Sequence, residues 1–189
     1  MKSFHHAGLL LAPLIVFWEV AGFGQPLAGA AAGTLAAIAL AAWTYRRHDD
    51  LLLPAGFVLI FGMAAAILAA GPGPWTARVP AGVSIAAGLL MVAGVAIGRP
   101  WTAVTSAPDW PGMTADPVFL HVNRGMSLLW AALVIWVGVA GSAGFGPIAR
   151  WAPLAAAIGL SLWLPRRWVH AALRRRLAQA DPNPWPSPL

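Results

Sequence analysis

Long apolar runs, separated by short stretches rich in Gly, Pro or charged residues, make up most of this sequence. The runs cover approximately residues 6–23, 27–45, 51–70, 81–98, 124–144 and 148–165. At about 1.5 Å per residue, helices of these lengths match a hydrocarbon core about 30 Å thick. The pattern therefore predicts an all-α, polytopic membrane protein whose six transmembrane helices form three antiparallel hairpins.

The connections between these runs differ strongly in their content of basic residues. With six crossings, one side of the membrane receives only Arg78 and Arg150 out of 12 Lys and Arg residues. The other side receives the remaining ones, which are Lys2, Arg46, Arg47, Arg99, Arg124, Arg166, Arg167, Arg174, Arg175 and Arg176. Because basic loops are retained in the cytoplasm, both termini are predicted to be cytoplasmic.

The overall composition supports a membrane location and excludes several functional classes. The 189 residues are 59% apolar and 10% charged, whereas soluble domains are about 45–50% apolar and about 25% charged. The six runs predict a single transmembrane domain over residues 1–165. The net charge of +6 lies at helix ends rather than on one patch, so lipid is the expected partner and nucleic acid is not. The absence of Cys excludes thiolate metal sites and a cysteine nucleophile.

The segment 166–189 is predicted to be a cytoplasmic, amphipathic, basic tail with a Pro-rich end. Its apolar side chains would face the bilayer as a short helix lying on the surface. Its arginines would contact the phosphates of anionic lipid headgroups, each contributing about 1 kcal/mol; they are Arg166, Arg167, Arg174, Arg175 and Arg176. Prolines at 182, 184, 186 and 188 are expected to end regular structure.

Glu19 is the one carboxylate within an apolar run. It follows His6 by 13 residues, which places it about 20 Å along the first helix, in the outer half of the membrane. A charged carboxylate at the centre of a membrane helix costs about 2.5–3.5 kcal/mol, so Glu19 is expected to have a partner, and Arg150 is the first choice. Two hypotheses remain open: a structural ion pair between the first and sixth helices, or an ion- or proton-binding acid in a transport path.

The stretch from residue 98 to 124 combines polar, aromatic and proline residues and is too apolar for a free loop. Asp109 or Asp116 could fold back onto arginines at the ends of the fourth and fifth helices. The candidate loop patch consists of Arg99, Pro100, Asp109, Asp116, Asn123 and Arg124. It is either a cytoplasmic site for an anion or a partner segment, or a loop whose charges satisfy one another.

Small residues and tryptophans are expected to serve packing. The pairs Gly29/Gly33 and Gly94/Gly98 have the spacing that lets helices approach closely. We take this spacing to indicate tight packing inside the bundle, and more weakly a homo-oligomer. Three tryptophans lie deep within predicted helices, where core or lipid-facing packing is favoured over a ligand-stacking box; they are Trp18, Trp130 and Trp136.

No pattern of reactive side chains predicts catalysis. The five histidines lie at helix ends and in loops of the cytoplasmic side, without the i, i+3 or i, i+4 pairing of haem or metal ligands. The sequence contains no GxSxG, HExxH, Walker or dinucleotide-binding motif. We therefore expect no catalytic residue, no metal and no cofactor.

Two motifs resemble the bacterial intracellular septation protein A family. One is Trp43-Thr44-Tyr45-Arg46-Arg47-His48, which is similar to the Trp and basic cluster after that family's second helix. The other is Gly98-Arg99-Pro100 followed by Asn123 and Trp130, similar to the family's Gly-Lys/Arg-Pro loop and Asn-x(6)-Trp helix start. Glu19 departs from the family's pattern. The resemblance implies a multi-pass inner-membrane protein tied to envelope maintenance or septation, without established catalytic residues.

Two functions are predicted from these observations. The first is a non-enzymatic inner-membrane protein that supports envelope or division proteins through its cytoplasmic loop and tail. The alternative is a small transporter or channel that uses Glu19 as its intramembrane acid. The relative positions of Glu19, Arg150 and any cavity discriminate between the two.

Overall fold

The computed structural model describes residues 2–47, 50–110, 112 and 114–180, and within them all regular structure is helical. The helices are α1 (Lys2–Gly22), α2 (Pro26–Arg46), α3 (Leu52–Ala69), α4 (Val79–Ala96), α5 (Trp101–Ser106), α6 (Pro117–Ser142) and α7 (Pro147–Ala180). Short 3-10 turns at Thr76–Arg78 and Ala107–Asp109 precede α4 and follow α5. The prediction of an all-α fold is confirmed.

Proline and glycine set the ends of these helices. Pro26 and Pro117 stand in the first turn of α2 and α6, where their missing N–H is not needed. Gly24 and Gly144 adopt φ angles of 78° and 75° in the turns that lead into α2 and α7. Left-handed residues of this kind reverse the chain within a few residues. The outcome is two tight helical hairpins, α1–α2 and α6–α7.

The helices pack as one bundle rather than as three separate hairpins. The predicted pairs α1–α2, α3–α4 and α6–α7 are all neighbours. The contacts of α2 with α3 and of α4 with α6 are more extensive than those of α3 with α4. Buried aromatic rings fill the centre: the ring of Phe61 lies 5.4 Å from that of Phe17 and 5.8 Å from that of Phe57.

Glycines provide the closest helix contacts, although only some of them are the predicted ones. Gly29 packs against the backbone of α1 and Gly33 against the ring of Phe61, which places this pair inside the bundle. The prediction for the second pair is wrong, because Gly98 lies beyond the end of α4 with φ of 80°.

Helices α4 and α6 come into direct backbone contact at two glycines. A Cβ added at Gly88 would lie 2.8 Å from the carbonyl oxygen of Ala131. A Cβ added at Gly138 would lie 2.6 Å from the carbonyl oxygen of Ala81. Both positions therefore require glycine, and we call this contact the α4–α6 seam (residues 81–91 with 126–138).

Within the part of the chain that the structure describes, four helical segments are long and apolar enough to cross a membrane. They are Pro26–Arg46, Leu52–Ala69, Thr76–Ala96 and Pro117–Ser142. The apolar part of α1, Leu9–Gly22, is shorter. Large apolar side chains also lie on the outside of the bundle, such as Leu35 and Leu59, each 69% exposed. An apolar exterior of this kind is what a membrane-embedded protein presents to lipid.

Two helix boundaries differ from the prediction. Helix α6 begins at Pro117 rather than near 124, because Asp116 caps it and the prolines before it end there. Helix α7 continues without a break to Ala180, so the predicted boundary between 165 and 166 is absent. Residues 166–180 consist mainly of Ala, Leu and Arg, which are strong helix formers. The Pro-rich segment 181–189 lies outside the described residues.

The continuation of α7 still packs against the bundle instead of turning away along a surface. The ring of Trp168 fills the space beside Gly125 in α6, within 2.6 Å of where a Cβ would stand. Arg167 stacks over the ring of Trp163 at 4.1 Å, and the side chains of Arg167 and Arg174 are exposed. The side chains of Arg166, Arg175 and Arg176 lie outside the described set. Contact of these arginines with lipid stays a prediction.

Candidate functional site

The predicted ion pair between Glu19 and Arg150 is not formed, and this corrects the sequence-based expectation. Among the described residues Glu19 has no ion pair, and its side chain is exposed. It lies three residues from Gly22, the end of α1. This distance is about 4.5 Å along the helix axis, so the exposed carboxylate lies near the end of the helix and is not enclosed by the bundle.

Arg150 turns toward the last turn of α6 instead. Its Cζ lies 5.0 Å from the ring centroid of Trp151 and 3.2 Å from the position of a Cβ on Gly141. The space beside a glycine accommodates the guanidinium, and the C-terminal end of a helix attracts a cation. Helices α1 and α7 meet here through the edge of Trp18 on Trp151, with ring centroids 5.2 Å apart.

The three deep tryptophans confirm the packing hypothesis. The indole N–H of Trp18 donates to the Ser84 hydroxyl at 3.0 Å, and that of Trp130 donates to the Ser161 hydroxyl at 2.9 Å. The indole N–H of Trp136 donates to the carbonyl of Ala149 at 3.0 Å. Each bond joins two different helices, so these side chains fix the bundle while satisfying their own donors.

The segment between α4 and α6 folds back onto the bundle at the end where α2 stops and α3 begins. Helix α5 and the 3-10 turn after it contact α6, α1 and α4. Pro100 is fully buried, and Trp101 is buried and stands edge-on to Trp130, with the two ring centroids 6.3 Å apart. We call residues 100–109 the α5 cover, and the end of the bundle that carries it the α5 end.

A buried polar network attaches the α5 cover to α6. The Thr102 hydroxyl donates to the carbonyl of Asn123 at 2.7 Å and lies 2.9 Å from the Ser127 hydroxyl. The Ser106 hydroxyl lies 2.9 Å from Oδ1 of Asn123. Nδ2 of Asn123 donates to the carbonyl of Phe119 at 2.9 Å. Because Asn123 and Ser127 are buried, their bonds hold the cover in one position.

The charged members of the predicted patch are arranged differently from the expectation. Arg99 pairs with Asp50, from the connection between α2 and α3, at 3.9 Å. Asp116 caps α6 by accepting from the N–H of Val118 at 2.7 Å. Arg124 is exposed, and Asp109 lies in the 3-10 turn that ends the cover. Asn123 is buried, and its side chain bonds to Ser106 and to the carbonyl of Phe119 within the chain itself.

Two adjoining cavities lie beneath the α5 cover and share Leu10 and Val104 in their walls. The smaller cavity, of about 20 Å³, also reaches Asp50, Arg99 and Trp101. The larger one, of about 380 Å³, lies between α1, the end of α2 and the cover. Its walls include Leu10, Trp43, Arg47, Val104, Thr105 and Pro108.

Sequence reasoning missed this cavity, although part of its lining was visible. Trp43 and Arg47 belong to the basic aromatic motif noted above, and the structure stacks the Arg47 guanidinium 4.3 Å from the ring of Trp43. No linear signal connects this motif with Leu10 or Pro108, which are brought there by the fold of α1 and α5.

Among the described residues, no group of three or more His, Cys, Asp or Glu residues lies close enough to hold a metal ion. His121 is exposed, and the side chains of the other four histidines lie outside the described set. Glu19 lines neither of these two cavities.

The chain matches no protein-family model, no curated protein and no solved structure. The resemblance to the septation protein A family therefore rests on the sequence motifs alone.

Proposed function

We propose that this chain is a six-span protein of a bacterial inner membrane, with both termini cytoplasmic, that supports envelope maintenance or septation without catalysis. In this proposal the α5 cover and the continuation of α7 present a fixed cytoplasmic surface to envelope or division proteins. The observation that carries it is the buried network around Asn123, because such a network holds an otherwise irregular segment rigid. A preformed surface reduces the entropy lost on binding.

Six crossings are supported by how the two remaining long helices pack. Helix α1 packs extensively against α2, and α7 lies along α6 from Trp168 near its inner end to Arg150 near its outer end. Neighbours of a membrane-spanning helix share its depth. Helix α7 has 34 residues, or about 51 Å, so it would cross the core and extend beyond the headgroups with its arginines.

The surface near the cover offers a direct test. Trp110 follows the cover and is 44% exposed, and Trp75 lies in the connection at the opposite end and is 67% exposed. Trp110→Ser and Trp75→Ser therefore make the same change on opposite sides. Aromatic side chains of this kind are common anchors of protein interfaces.

The experiment is complementation of a deletion strain, scored by cell shape, septum placement and resistance to detergent. The wild-type chain and Trp75→Ser are expected to restore these properties, and Trp110→Ser is expected to restore them only in part at equal protein level. A deletion strain with normal shape and envelope integrity would refute the proposal. Equal rescue by both variants would refute the role of the cover.

A further inference from the structure

We propose that the larger cavity beneath the α5 cover binds one anionic phospholipid of the adjacent leaflet, with its phosphate on Arg47 and an acyl chain inside. The proposal rests on the proposed function only in assigning that leaflet to the cytoplasmic side. It concerns a defined site in the bundle and is independent of the tail arginines.

The size and lining of the cavity fit an acyl chain. Its volume of about 380 Å³ is in the range of ligand sites, about 300–1,000 Å³. Leu10, Val104 and Pro108 provide apolar walls from three different elements. The hydroxyls of Thr44 and Thr105, which also line it, already donate to the carbonyls of Leu40 and Thr102. The interior therefore offers apolar contacts to a ligand, because the hydrogens of both hydroxyl groups are already used in bonds within the protein.

The mouth of the cavity fits an anion. Arg47 lies one residue beyond the end of α2 and is exposed. Stacking on Trp43 at 4.3 Å fixes the plane of its guanidinium while leaving the N–H edge available. Within the described part of the chain Arg47 makes no ion pair. A planar guanidinium held in this way matches the bidentate geometry of a phosphate.

The position of the cavity favours a lipid over a soluble anion. The end of α2 is where a membrane-spanning helix meets the headgroup layer. A phosphate at Arg47 and a chain that enters between α1 and the cover follow the natural order of a phospholipid in that leaflet. A free anion would use Arg47 but would leave the apolar walls without contact.

The test is native mass spectrometry of the full chain in detergent, titrated with phosphatidylglycerol or with diacylglycerol of the same acyl chains. The wild-type protein is expected to retain one phosphatidylglycerol and to bind diacylglycerol at least about tenfold more weakly, since a charged hydrogen-bond pair is lost. Millimolar inorganic phosphate is expected to leave the lipid in place.

Three variants locate the site. Arg47→Gln is expected to weaken phosphatidylglycerol binding about tenfold. Arg46→Gln, which removes the same charge from an exposed neighbour that does not line the cavity, is expected to change it by less than about twofold. Ala107→Phe, which fills the cavity and keeps the charge, is expected to abolish the bound lipid at an unchanged melting temperature.

Equal losses in Arg47→Gln and Arg46→Gln would overturn the proposal, because general attraction to the leaflet would then explain binding. Full retention by a folded Ala107→Phe, or displacement of the lipid by inorganic phosphate, would overturn the assignment of an acyl chain to the cavity. Orientation has no influence on binding in detergent. A reversed topology would therefore refute the proposed function and leave this result standing.

Discussion

Helix α6 is held by two neighbours in two different ways. Along the α4–α6 seam, glycines and large aliphatic side chains bring the two helix backbones together, and a single added Cβ would clash with a carbonyl oxygen. At the α5 end, the cover is attached through the hydroxyls and amide around Asn123, and two cavities lie beneath it. One contact is close-packed and the other is polar and incompletely filled.

The difference indicates that the two regions have different roles in one bundle, the seam as a scaffold and the α5 end as a binding region. Close packing of helix backbones leaves no alternative arrangement and suits a permanent scaffold. Hydrogen bonds between a short helix and its support are individually worth about 0.5–1.5 kcal/mol, so several of them together hold the cover in place, and the cavities beneath it leave room for a ligand. The following substitutions test this comparison, beginning with the largest expected effect.

Gly138→Val tests the seam. The new Cβ would stand 2.6 Å from the carbonyl oxygen of Ala81, and backbone atoms cannot move aside cheaply. We expect a loss of about 3 kcal/mol in the free energy of unfolding, measured in mixed micelles. Gly82→Val makes the same change on the exposed side of α4, away from the seam contacts, where nothing lies within 4 Å, and should alter stability by less than about 0.5 kcal/mol. Similar losses in both variants would contradict the seam.

Asn123→Leu tests the attachment of the cover. It removes the acceptor for Ser106 and the donor to Phe119 inside a buried site, at a cost of about 2 kcal/mol. Hydrogen exchange should accelerate for the amides of residues 101–110 and stay unchanged along the seam. In the control Ser142→Ala, only a bond within α6 is lost. Uniform acceleration over the whole bundle would mean that the cover is no separate unit.

Trp18→Phe tests how much a single hydrogen bond to α4 contributes to stability, for comparison with the bonds of Asn123 that attach the cover. The change keeps the aromatic contact with Trp151 and removes the indole bond to Ser84. We expect a loss of about 1 kcal/mol in the free energy of unfolding. Trp75→Phe, in an exposed position, serves as the control. A loss as large as that of Asn123→Leu would contradict the comparison, because hydrogen bonds would then stabilise α4 as much as they stabilise the cover.

Arg99→Gln should have the smallest effect. Its pairing with Asp50 spans 3.9 Å, and the Arg99 side chain is 64% exposed, so the pair is expected to contribute less than about 0.5 kcal/mol. The effect should vanish in high salt. Arg124→Gln, an exposed position without an ion pair in the described structure, should show no change at any salt concentration. A loss above about 1 kcal/mol would place Arg99 among the supports of the cover.

The sequence predicts those features that depend on local spacing. The period and length of the apolar runs predict the helices, and Gly24 and Pro26 predict a tight turn between α1 and α2, because a few residues decide each of these. Asn123 was recognised as part of a polar patch for the same reason. Its role was misjudged because burial by α5 depends on contacts 17–25 residues apart.

The features that sequence reasoning missed depend on how distant helices meet. Glu19 and Arg150 each lie three residues from a helix end, at Gly22 of α1 and Pro147 of α7. The guanidinium of Arg150 nevertheless occupies the space beside Gly141, and a prediction from opposite charges alone does not include this contact. Gly88 and Gly138 do not belong to a GxxxG motif within their own helices. Each of them instead faces an isoleucine of the partner helix, and this pairing cannot be read from the spacing within one helix. The cavity likewise arises only when α1, α2 and α5 are assembled.

The most direct test of the account is the side of the membrane on which the α5 cover lies. The natural chain has no Cys, so single thiols report without background. Ala115→Cys lies after the cover and Ala77→Cys in the connection at the opposite end, and both positions are exposed. An impermeant maleimide added to sealed spheroplasts should label Ala77→Cys alone, and Ala115→Cys only after permeabilisation. Labelling of Ala115→Cys in sealed spheroplasts would contradict the account.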